Sequence, residues 1–185
     1  GEEEPLELPF VQVHNPHKRC SAARRLALSP VLAATAAALL GVASVRLYQD
    51  SLFWKRKGAR DATAWHADLW TVPLSTNHFV TVWLPLHRVP AEGGSPLYYR
   101  SRGEEEEQQG GTELIIADLP APGLTGVHHA PLEEGDATWH HGWTLHGAPP
   151  LADGEEERLA YTAAFYCDAA PIVGEQLAQL AARRR

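Results

Sequence analysis

The stretch WHAD, at Trp65–Asp68, decides the fold of this chain of 185 residues together with a second stretch, GDATWHHGWTLHG, at Gly135–Gly147. On an extended strand, residues i and i+2 point to the same side of a sheet. His66 and Asp68 can therefore reach one metal ion together, while Ala67 points away from it. A third ligand has to come from another strand, because one strand cannot wrap around an ion. The second stretch supplies three histidines for that position.

Two histidines and one carboxylate form the ligand set known as the 2-His-1-carboxylate triad. This set covers one face of an Fe(II) ion and leaves the opposite face open, where non-haem oxygenases bind a co-substrate and O2. The His-x-Asp spacing alone is a weak indication, because Asp68 could cap a turn and His66 could be a core histidine. Its combination with a histidine in a Gly-Asp-rich segment, followed by Arg158, favours metal binding.

The histidines of the second stretch compete for the position of the third ligand. We predict one strand over Ala137–Leu145, on which His140 and His141 face opposite sides and His140 and His146 lie near opposite ends. We choose His146, because Gly147 allows the chain to turn close to a metal and Arg158 follows at hairpin distance. His140 or His141 would then hydrogen-bond to the site from beside it, or would be structural.

Arg158 follows His146 by about one strand and a turn, at the start of the apolar segment Leu159–Thr162. A guanidinium is a rigid fork that matches a carboxylate, and a charge that points inward from an apolar strand needs a partner. Arg158 could therefore hold the far carboxylate of a 2-oxo acid. The alternative is a surface arginine that pairs with the glutamates of Glu155–Glu157, and both interpretations stay open at this point.

The composition, with 44% hydrophobic and 21% charged residues, is that of a folded protein, and the length fits a single domain over residues 1–185. The net charge of −7 argues against a nucleic-acid partner, because phosphate binding needs clustered Lys and Arg. Cys20 and Cys167 are too few for a disulfide scaffold, so we expect an intracellular, cytoplasmic protein. The chain begins at Gly1 and contains no methionine, which indicates a segment of a longer protein. Residues 102–111 are acidic and of low complexity, and we expect a mobile loop there.

An apolar, alanine-rich run at Val31–Val45 has the composition of a short membrane span or a signal-peptide core. It is shorter than the roughly 20 residues that a spanning helix needs, so we expect no membrane span. Ser29 can cap a helix, Pro30 fits its first turn and Gly41 can end it. We therefore predict a buried core helix over Leu26–Leu40.

The rest of the chain alternates short β-prone segments with Gly/Pro turns, which indicates a closed or double-sheet β architecture. Residues 1–18 are polar and contain prolines, and we expect them to be irregular. In a jelly roll of the cupin type, inward-pointing residues from several strands meet in the mouth of the barrel. We therefore predict a mainly β jelly roll with the N-terminal helix packed outside it. The predicted strands are Val42–Trp54, His78–Leu84, Ser95–Arg100, Glu113–Ala117, Ala137–Leu145 and Arg158–Tyr166, and a short helix is predicted at Gly174–Ala182.

Taken together, these motifs resemble the phytanoyl-CoA dioxygenase family of Fe(II)- and 2-oxoglutarate-dependent oxygenases, over about residues 22–172. The resemblance implies a double-stranded β-helix, with His66, Asp68 and His146 as iron ligands. It also implies that Arg158 binds the distal carboxylate of 2-oxoglutarate. The segments that carry the resemblance are Leu40–Val42, Val45–Asp50, Trp65–Asp68, Val82–Leu86, Glu92–Gly94, Gly135–Pro149 and Arg158.

Two further residues are assigned to co-substrate binding by resemblance alone. Trp83 matches a tryptophan that lines the co-substrate pocket, although it also fits a plain core aromatic, and Lys55 matches a lysine common after the early strand. The chain departs from the family pattern at three places. Tyr98–Gly103 stands where a Gly-Ser-His segment is common, Ala148 replaces a serine that donates to the co-substrate, and Leu151 replaces an asparagine. These departures affect substrate shape and co-substrate affinity, and they leave the triad intact.

The sequence thus predicts a dioxygenase that uses Fe(II), 2-oxoglutarate and O2 to hydroxylate a small-molecule or lipid-like substrate, with release of succinate and CO2. Asp68 favours hydroxylation, because halogenating relatives replace the carboxylate by a small residue. The alternatives are a cupin-like module that binds a metal or ligand without turnover, and a zinc hydrolase with the same ligands. Four tryptophans flank the site segments and suggest a flat, apolar pocket wall. They are Trp65, Trp70, Trp139 and Trp143.

Overall fold

The computed structural model of the chain describes residues 8–100, 126–155, 157–168 and 170. Within these ranges the chain forms two α-helices, α1 (Ser21–Ala27) and α2 (Pro30–Leu40), and two antiparallel sheets. Short 3₁₀ turns occupy Pro16–Lys18 and Asp68–Trp70. The strands in chain order are β1 (Phe10–His14), β2 (Val45–Arg56), β3 (Thr63–His66), β4 (Phe79–Pro85), β5 (Tyr98–Arg100), β6 (Gly126–His128), β7 (Thr138–His141), β8 (His146–Ala148) and β9 (Glu157–Cys167).

The two sheets enclose a cavity between them. The larger sheet has the strand order β1-β2-β9-β4-β7, and the smaller sheet has the order β3-β8-β5-β6. A core cluster connects Trp83 on β4 and Ala160 on β9 to Tyr99 on β5 and Ala148 on β8. The mainly β, cupin-like double-stranded β-helix is therefore confirmed, with the helices outside the sheets as predicted.

Strands β4 and β9 show the two-residue period that separates the two faces of a sheet. Val80 and Val82 on β4 pack beneath the helices with Tyr161, Ala163 and Phe165 on β9. The intervening residues face the cavity, so the chemistry of the site is carried by every second position. Those residues are Thr81, Trp83, Arg158, Thr162 and Ala164.

The helical segment differs from the single buried core helix predicted over Leu26–Leu40. Pro30 disfavours a helical backbone at Ser29, so the first helix ends before it and α2 begins at the proline. Ser29 is the N-cap residue but its side chain makes no capping hydrogen bond, whereas Gly41 ends α2 in the left-handed conformation with φ 65°. In α2, Ala36 alone is buried. The prediction of a buried core helix is wrong, because the helices form an outer layer on one face of the larger sheet.

Ser21–Leu40, taken as one run of 20 residues, has the length and apolar composition of a membrane span. This is a weak indication, because core helices and signal sequences near an N-terminus share these properties. Here the run is divided into helices of 7 and 11 residues. Each is shorter than the roughly 20 residues that a span needs, and the absence of a membrane span stays a prediction.

Two predicted segments differ in ways that shape the cavity. Part of residues 1–18, predicted to be irregular, forms β1, because β2 offers it an open sheet edge with the register Phe10↔Lys55 to His14↔Ser51. The predicted strand Ala137–Leu145 is interrupted, since β7 belongs to the larger sheet and β8 to the smaller one.

The remaining strand predictions are confirmed with shifted ends. Val42–Trp54 corresponds to β2, His78–Leu84 to β4, and Arg158–Tyr166 to β9, whereas Ser95–Arg100 contracts to β5. Pro96 explains the contraction, because it lacks the N–H that a ladder requires. Three predictions lie outside the described residues: the strand Glu113–Ala117, the helix Gly174–Ala182 and the acidic loop 102–111.

Candidate functional site

The three predicted ligands converge at one end of the smaller sheet. His66 is the last residue of β3 and His146 is the first residue of β8, and the two are register partners, so their ring centroids lie 4.2 Å apart. Asp68 opens the 3₁₀ turn after β3, and Ala67 between them is extended and buried. Both side chains therefore turn to the same side, as the i, i+2 spacing predicts. One ligand atom from each of His66, Asp68 and His146 lies within 4.8 Å of the others.

His66 and His146 each have one ring nitrogen in a hydrogen bond and the other free to bind a metal. His66 Nδ1–H donates to the carbonyl of Ala64 at 2.8 Å, and His146 Nδ1–H donates to the carbonyl of Thr144 at 2.9 Å. These bonds place the proton on Nδ1 and leave the Nε2 lone pair for a metal, as is usual for metal-binding histidines. The two Nε2 atoms lie 3.8 Å and 3.6 Å from Asp68 Oδ1.

The two oxygens of Asp68 have different surroundings. Oδ1 faces the two ligand histidines, whereas Oδ2 accepts a hydrogen bond of 2.6 Å from the Thr81 hydroxyl. His140 Nε2 also lies 3.3 Å from Oδ2. This arrangement turns one oxygen towards a metal and holds the other from behind. Thr81 is not among the residues predicted for the site, although it is the polar residue between two apolar ones on β4, which was a usable signal.

The charges of the site suit metal binding at neutral pH. Burial alone would raise the pKa of Asp68, but the neighbouring His140 and His146 and the Thr81 hydroxyl hold it well below its usual range. Burial lowers the pKa of His146 to about 3, and His140 acts in the same direction. The carboxylate is thus ionised and the imidazole of His146 neutral, which are the forms that bind a metal.

His140 lies at the site because the chain turns between β7 and β8, a turn that the single predicted strand did not include. The chain leaves β7 at His141, turns through Gly142 and re-enters at His146 in the other sheet. The rings of His140 and His146 therefore face each other at 4.2 Å instead of lying at opposite ends of a strand. His140 is buried, and neither ring nitrogen has a hydrogen bond to the described part of the chain, because the contact with Asp68 lacks the required alignment. Gly142 was the signal for this turn, since a Cβ there would lie 2.7 Å from Leu69.

His141 takes the structural one of its two predicted roles, whereas Gly147 does not form the predicted turn. His141 points away from the cavity, where its Nε2–H donates to the carbonyl of Asn77 at 2.6 Å, so it is structural. Gly147 lies within β8 and does not form a turn. A Cβ on Gly147 would lie 2.8 Å from the carbonyl oxygen of Thr63. Glycine is thus required because the backbone of β3 passes so close.

Arg158 is a buried cation on the cavity wall. It is 3% exposed, its guanidinium carbon lies 5.8 Å from the centroid of the Trp83 ring, and both residues line the cavity. Its Nε has no hydrogen-bond partner among the described residues, and burial lowers its pKa to about 10. Such a group fits an anionic ligand and does not fit the alternative of a surface arginine.

Lys55 lies behind this cation and not on the cavity wall. It is the register partner of Arg158, is fully buried, and donates from Nζ to Ser95 Oγ at 3.1 Å and to the carbonyl of Pro149 at 2.6 Å. Burial, and then the charge of Arg158, lower the pKa of Lys55 to about 8. Ser95 bridges the same groups by donating to the Pro149 carbonyl at 2.6 Å, with a left-handed φ of 53°. The structure thus brings Lys55 next to Arg158 but does not place it in contact with the cavity.

The cavity that contains these groups has a volume of about 550 Å³. Ala148 lies on its wall, where the resemblance expects a serine, and no other hydroxyl takes that position on β8. In the described part of the chain Trp83 is the tryptophan that lines the cavity, so the suggestion that four flanking tryptophans form its wall is wrong. Those four are Trp65, Trp70, Trp139 and Trp143.

A double-stranded β-helix with a 2-His-1-carboxylate cluster and a buried arginine is the arrangement typical of non-haem metal oxygenases. Within that class, the sequence matches the family described as phytanoyl-CoA dioxygenase (PhyH) over residues 4–154. The chain belongs to the phytanoyl-CoA dioxygenase family. No curated protein matches the chain.

Solved structures show the same fold. SnoN, a non-heme alpha ketoglutarate dependent epimerase from nogalamycin biosynthesis, is 25% identical with a TM-score of 0.69, over 89% of this chain and 64% of that chain. SnoK, a carbocyclase from the same biosynthesis, is 24% identical with a TM-score of 0.71, over 90% and 66%. EctD from S. alaskensis, solved with 2-oxoglutarate and 5-hydroxyectoine, is 18% identical with a TM-score of 0.67, over 87% and 57%. The chain thus spans less than two thirds of each of these three solved chains.

Proposed function

We propose that this protein is an Fe(II)- and 2-oxoglutarate-dependent oxygenase that hydroxylates a small-molecule or lipid-like substrate, with release of succinate and CO2. The observation that carries the proposal is the convergence of His66, Asp68 and His146 with both Nε2 lone pairs and one carboxylate oxygen directed to one point. Membership of the family and the structural similarity to SnoN, which was also solved with Fe3+ and alpha ketoglutarate, support it.

The donor set fits iron. Neutral imidazole and carboxylate together suit Fe(II), and a triad on one face leaves positions for further ligands. Thr81 would keep Asp68 Oδ1 directed at the ion through its bond to Oδ2. Ala64 and Thr144 would keep the two imidazoles oriented through their carbonyls.

The cavity wall also fits a dicarboxylate co-substrate. The guanidinium of Arg158 would receive the distal carboxylate, since it is buried with Nε unsatisfied in the described part of the chain. The Trp83 ring beside it would limit where that carboxylate lies. Lys55 would add positive charge from behind Arg158, held in place by Ser95 and Pro149.

The bound Fe(II), 2-oxoglutarate and O2 supply the oxidising chemistry that replaces a C–H bond by C–OH. The protein residues hold these groups, orient the co-substrate and keep water out. Val72, Phe79 and Leu97 are apolar residues of the cavity wall that would exclude water. Asp68 occupies the carboxylate position, which supports hydroxylation over halogenation.

The proposal is tested by adding Fe(II) and 2-oxoglutarate to the chain without O2 and recording the visible metal-to-ligand charge-transfer band, then admitting O2 and measuring succinate. We expect both signals in the native chain and neither in Asp68→Ala. A product that gains one oxygen atom would establish hydroxylation, whereas succinate with a product of another kind would refute that part of the proposal. A folded chain that binds neither Fe(II) nor 2-oxoglutarate would support the alternative of a binding module without turnover.

A further inference from the structure

A cluster of polar side chains lies in the same cavity but apart from the metal ligands and from Arg158. It consists of His14 on β1 with Gln49 and Ser51 on β2, and we call it the β1–β2 polar cluster. The Gln49 amide nitrogen lies 2.9 Å from His14 Nδ1 and 3.0 Å from Ser51 Oγ, and Ser51 Oγ lies 3.3 Å from the same Nδ1. All three residues line the cavity.

The hydrogen bonds within the cluster leave one donor and one acceptor for a ligand. Because Gln49 donates to His14 Nδ1, the ring proton lies on Nε2, which is then a donor. Gln49 Oε1 is an acceptor, and neither it nor His14 Nε2 has a hydrogen bond to any described residue. A donor beside an acceptor is complementary to a hydroxyl or an amide, whereas the acceptor would repel a carboxylate or a phosphate.

The charges on the cavity wall also favour an uncharged ligand. Among the described residues that line the cavity, Arg158 is the only Lys or Arg, and Asp68 is the only Asp or Glu. If the metal uses Asp68 and the co-substrate uses Arg158, the described part of the wall has no further charge to pair with a charged substrate. Burying an unpaired charge in such a cavity is unfavourable.

The strand register gives the distance between the cluster and the metal ligands. Gln49 pairs with Ala164, which pairs with Thr81, whose hydroxyl binds Asp68. Two strand spacings separate Gln49 from Thr81, which is roughly 10 Å. His14 is exposed and Ser51 is buried, so the cluster extends inward from the mouth of the cavity. A ligand of about two fused rings would reach from the cluster to the metal ligands.

The wall around the cluster is aromatic. Phe10 and Phe53 stack with centroids 6.4 Å apart and planes at 15°, and Tyr48 meets Phe79 edge to face at 5.5 Å. All four line the cavity. Flat side chains at this position suit a flat or ring-shaped apolar body.

We infer that the β1–β2 polar cluster is a substrate subsite that binds a hydroxyl or carbonyl group of an uncharged, ring-containing substrate, and places the opposite end of that substrate at the metal ligands. The inference rests on the proposed oxygenase function for the second of these statements.

The test uses three probes of one shape: 2-naphthol, naphthalene and 2-naphthoate. Their binding to the full chain with Zn(II) and 2-oxoglutarate, and to the metal-free chain, is measured by saturation-transfer NMR. We expect 2-naphthol to bind about 2- to 10-fold tighter than naphthalene, the usual contribution of one net hydrogen bond, and tighter than 2-naphthoate. Equal binding of 2-naphthol and naphthalene would overturn the inference, and so would tighter binding of 2-naphthoate to the chain that holds Zn(II) and 2-oxoglutarate.

Substitutions on the same wall show whether the cluster is responsible. Gln49→Leu should abolish the preference for 2-naphthol. Gln12→Leu is the matched control, because Gln12 also lines the cavity and makes no hydrogen bond to the cluster in the described structure, and it should keep the preference. Ser51→Ala is a second, smaller change in case Gln49→Leu does not fold, and it should reduce the preference. A preference that survives in every folded variant of Gln49 and Ser51 would overturn the inference.

Replacing Zn(II) by Mn(II) tests the orientation through paramagnetic broadening. We expect the 2-naphthol protons remote from the hydroxyl to broaden more than those beside it, and the opposite order would refute the orientation. If Mn(II) does not bind and broadens neither the probe nor 2-oxoglutarate, the proposed oxygenase function fails. The hydroxyl preference of the metal-free chain would in that case still support the subsite.

Discussion

Thr81→Val should weaken metal binding without changing any ligand. The substitution replaces the hydroxyl by a methyl group of similar size, so the packing on β4 is kept and a single hydrogen bond is lost. That bond is short, at 2.6 Å, its acceptor Asp68 Oδ2 is ionised, and Thr81 is 6% exposed. It therefore belongs to the charge-assisted class, in which each bond contributes about 1.5–3 kcal/mol.

The expected loss in affinity follows from what the bond orients. Without Thr81, the one contact that Asp68 Oδ2 keeps besides the other ligands among the described residues is with His140 Nε2 at 3.3 Å, which is not a hydrogen bond. The carboxylate can then rotate, and Oδ1 no longer points at the ligand histidines. Removing a residue that orients a metal ligand typically lowers metal affinity by about 10- to 100-fold, which corresponds to about 1.4–2.7 kcal/mol.

The assay is an anaerobic titration of the chain with Fe(II), or with Co(II) as a coloured substitute, for the native chain, Thr81→Val and Thr81→Ser. The serine variant keeps the hydroxyl and should bind the metal within a few-fold of the native chain. Thermal unfolding of the metal-free variants separates lost stability from lost affinity. Native affinity in a folded Thr81→Val variant, or an equal loss in Thr81→Ser, would refute the assigned orienting role of this hydroxyl.

Three further predictions concern the cavity wall and the sheet that carries the ligands. Arg158→Met should lower the affinity for 2-oxoglutarate by roughly 100-fold, because the buried guanidinium that binds its carboxylate is lost. Arg158→Lys should keep part of that affinity. Calorimetry with Mn(II) in the absence of O2 measures the affinity of each variant. Lys55 has a pKa of about 8 in the folded chain, against 10.5 in an unfolded chain. Between these two values the unfolded state binds more protons than the folded state. The free energy of unfolding should therefore rise with pH across this window, by up to about 3 kcal/mol. Denaturant titrations at pH 7 and pH 10 should show this rise in the native chain relative to Lys55→Met, and identical pH dependence in the two would contradict it. Gly147→Ala should force β3 and β8 apart, because the new Cβ would lie 2.8 Å from the carbonyl oxygen of Thr63. We expect a lower free energy of unfolding and weaker metal binding through His146. Wild-type values for both would show that the two backbones do not approach so closely.

Local patterns were sufficient for much of the fold. The β-branched and aromatic residues of His78–Leu84 and the apolar segment after Arg158 predicted β4 and β9, because strand-forming residue types are visible in the sequence itself. The end of the helix at Gly41 was also predicted, because it depends on one residue type. In contrast, β1 carries no strong pattern of its own, and it forms because β2 provides an edge to pair with.

The candidate ligands also divide into features that the sequence predicted and features that depend on distant contacts. His66 and Asp68 were predicted from a two-residue spacing, and His146 was chosen from its place near Arg158; the structure brings all three together. The predicted role of Gly147 in a turn was wrong. Glycine is required there because the backbone of β3, which is distant in sequence, leaves no room for a side chain.

Residue types and short spacings, together with the family resemblance, predicted the class of fold from the sequence alone. They also selected His66, Asp68 and His146 as candidate ligands and Arg158 as the candidate arginine of the cavity. The tertiary structure alone decided that the chain crosses between sheets after His141, that Thr81 holds Asp68 from behind, and that Lys55 lies behind Arg158. It also decided that His14 joins Gln49 and Ser51. These are contacts between residues up to about one hundred positions apart, and they depend on strand pairing and sheet packing that local spacing does not record.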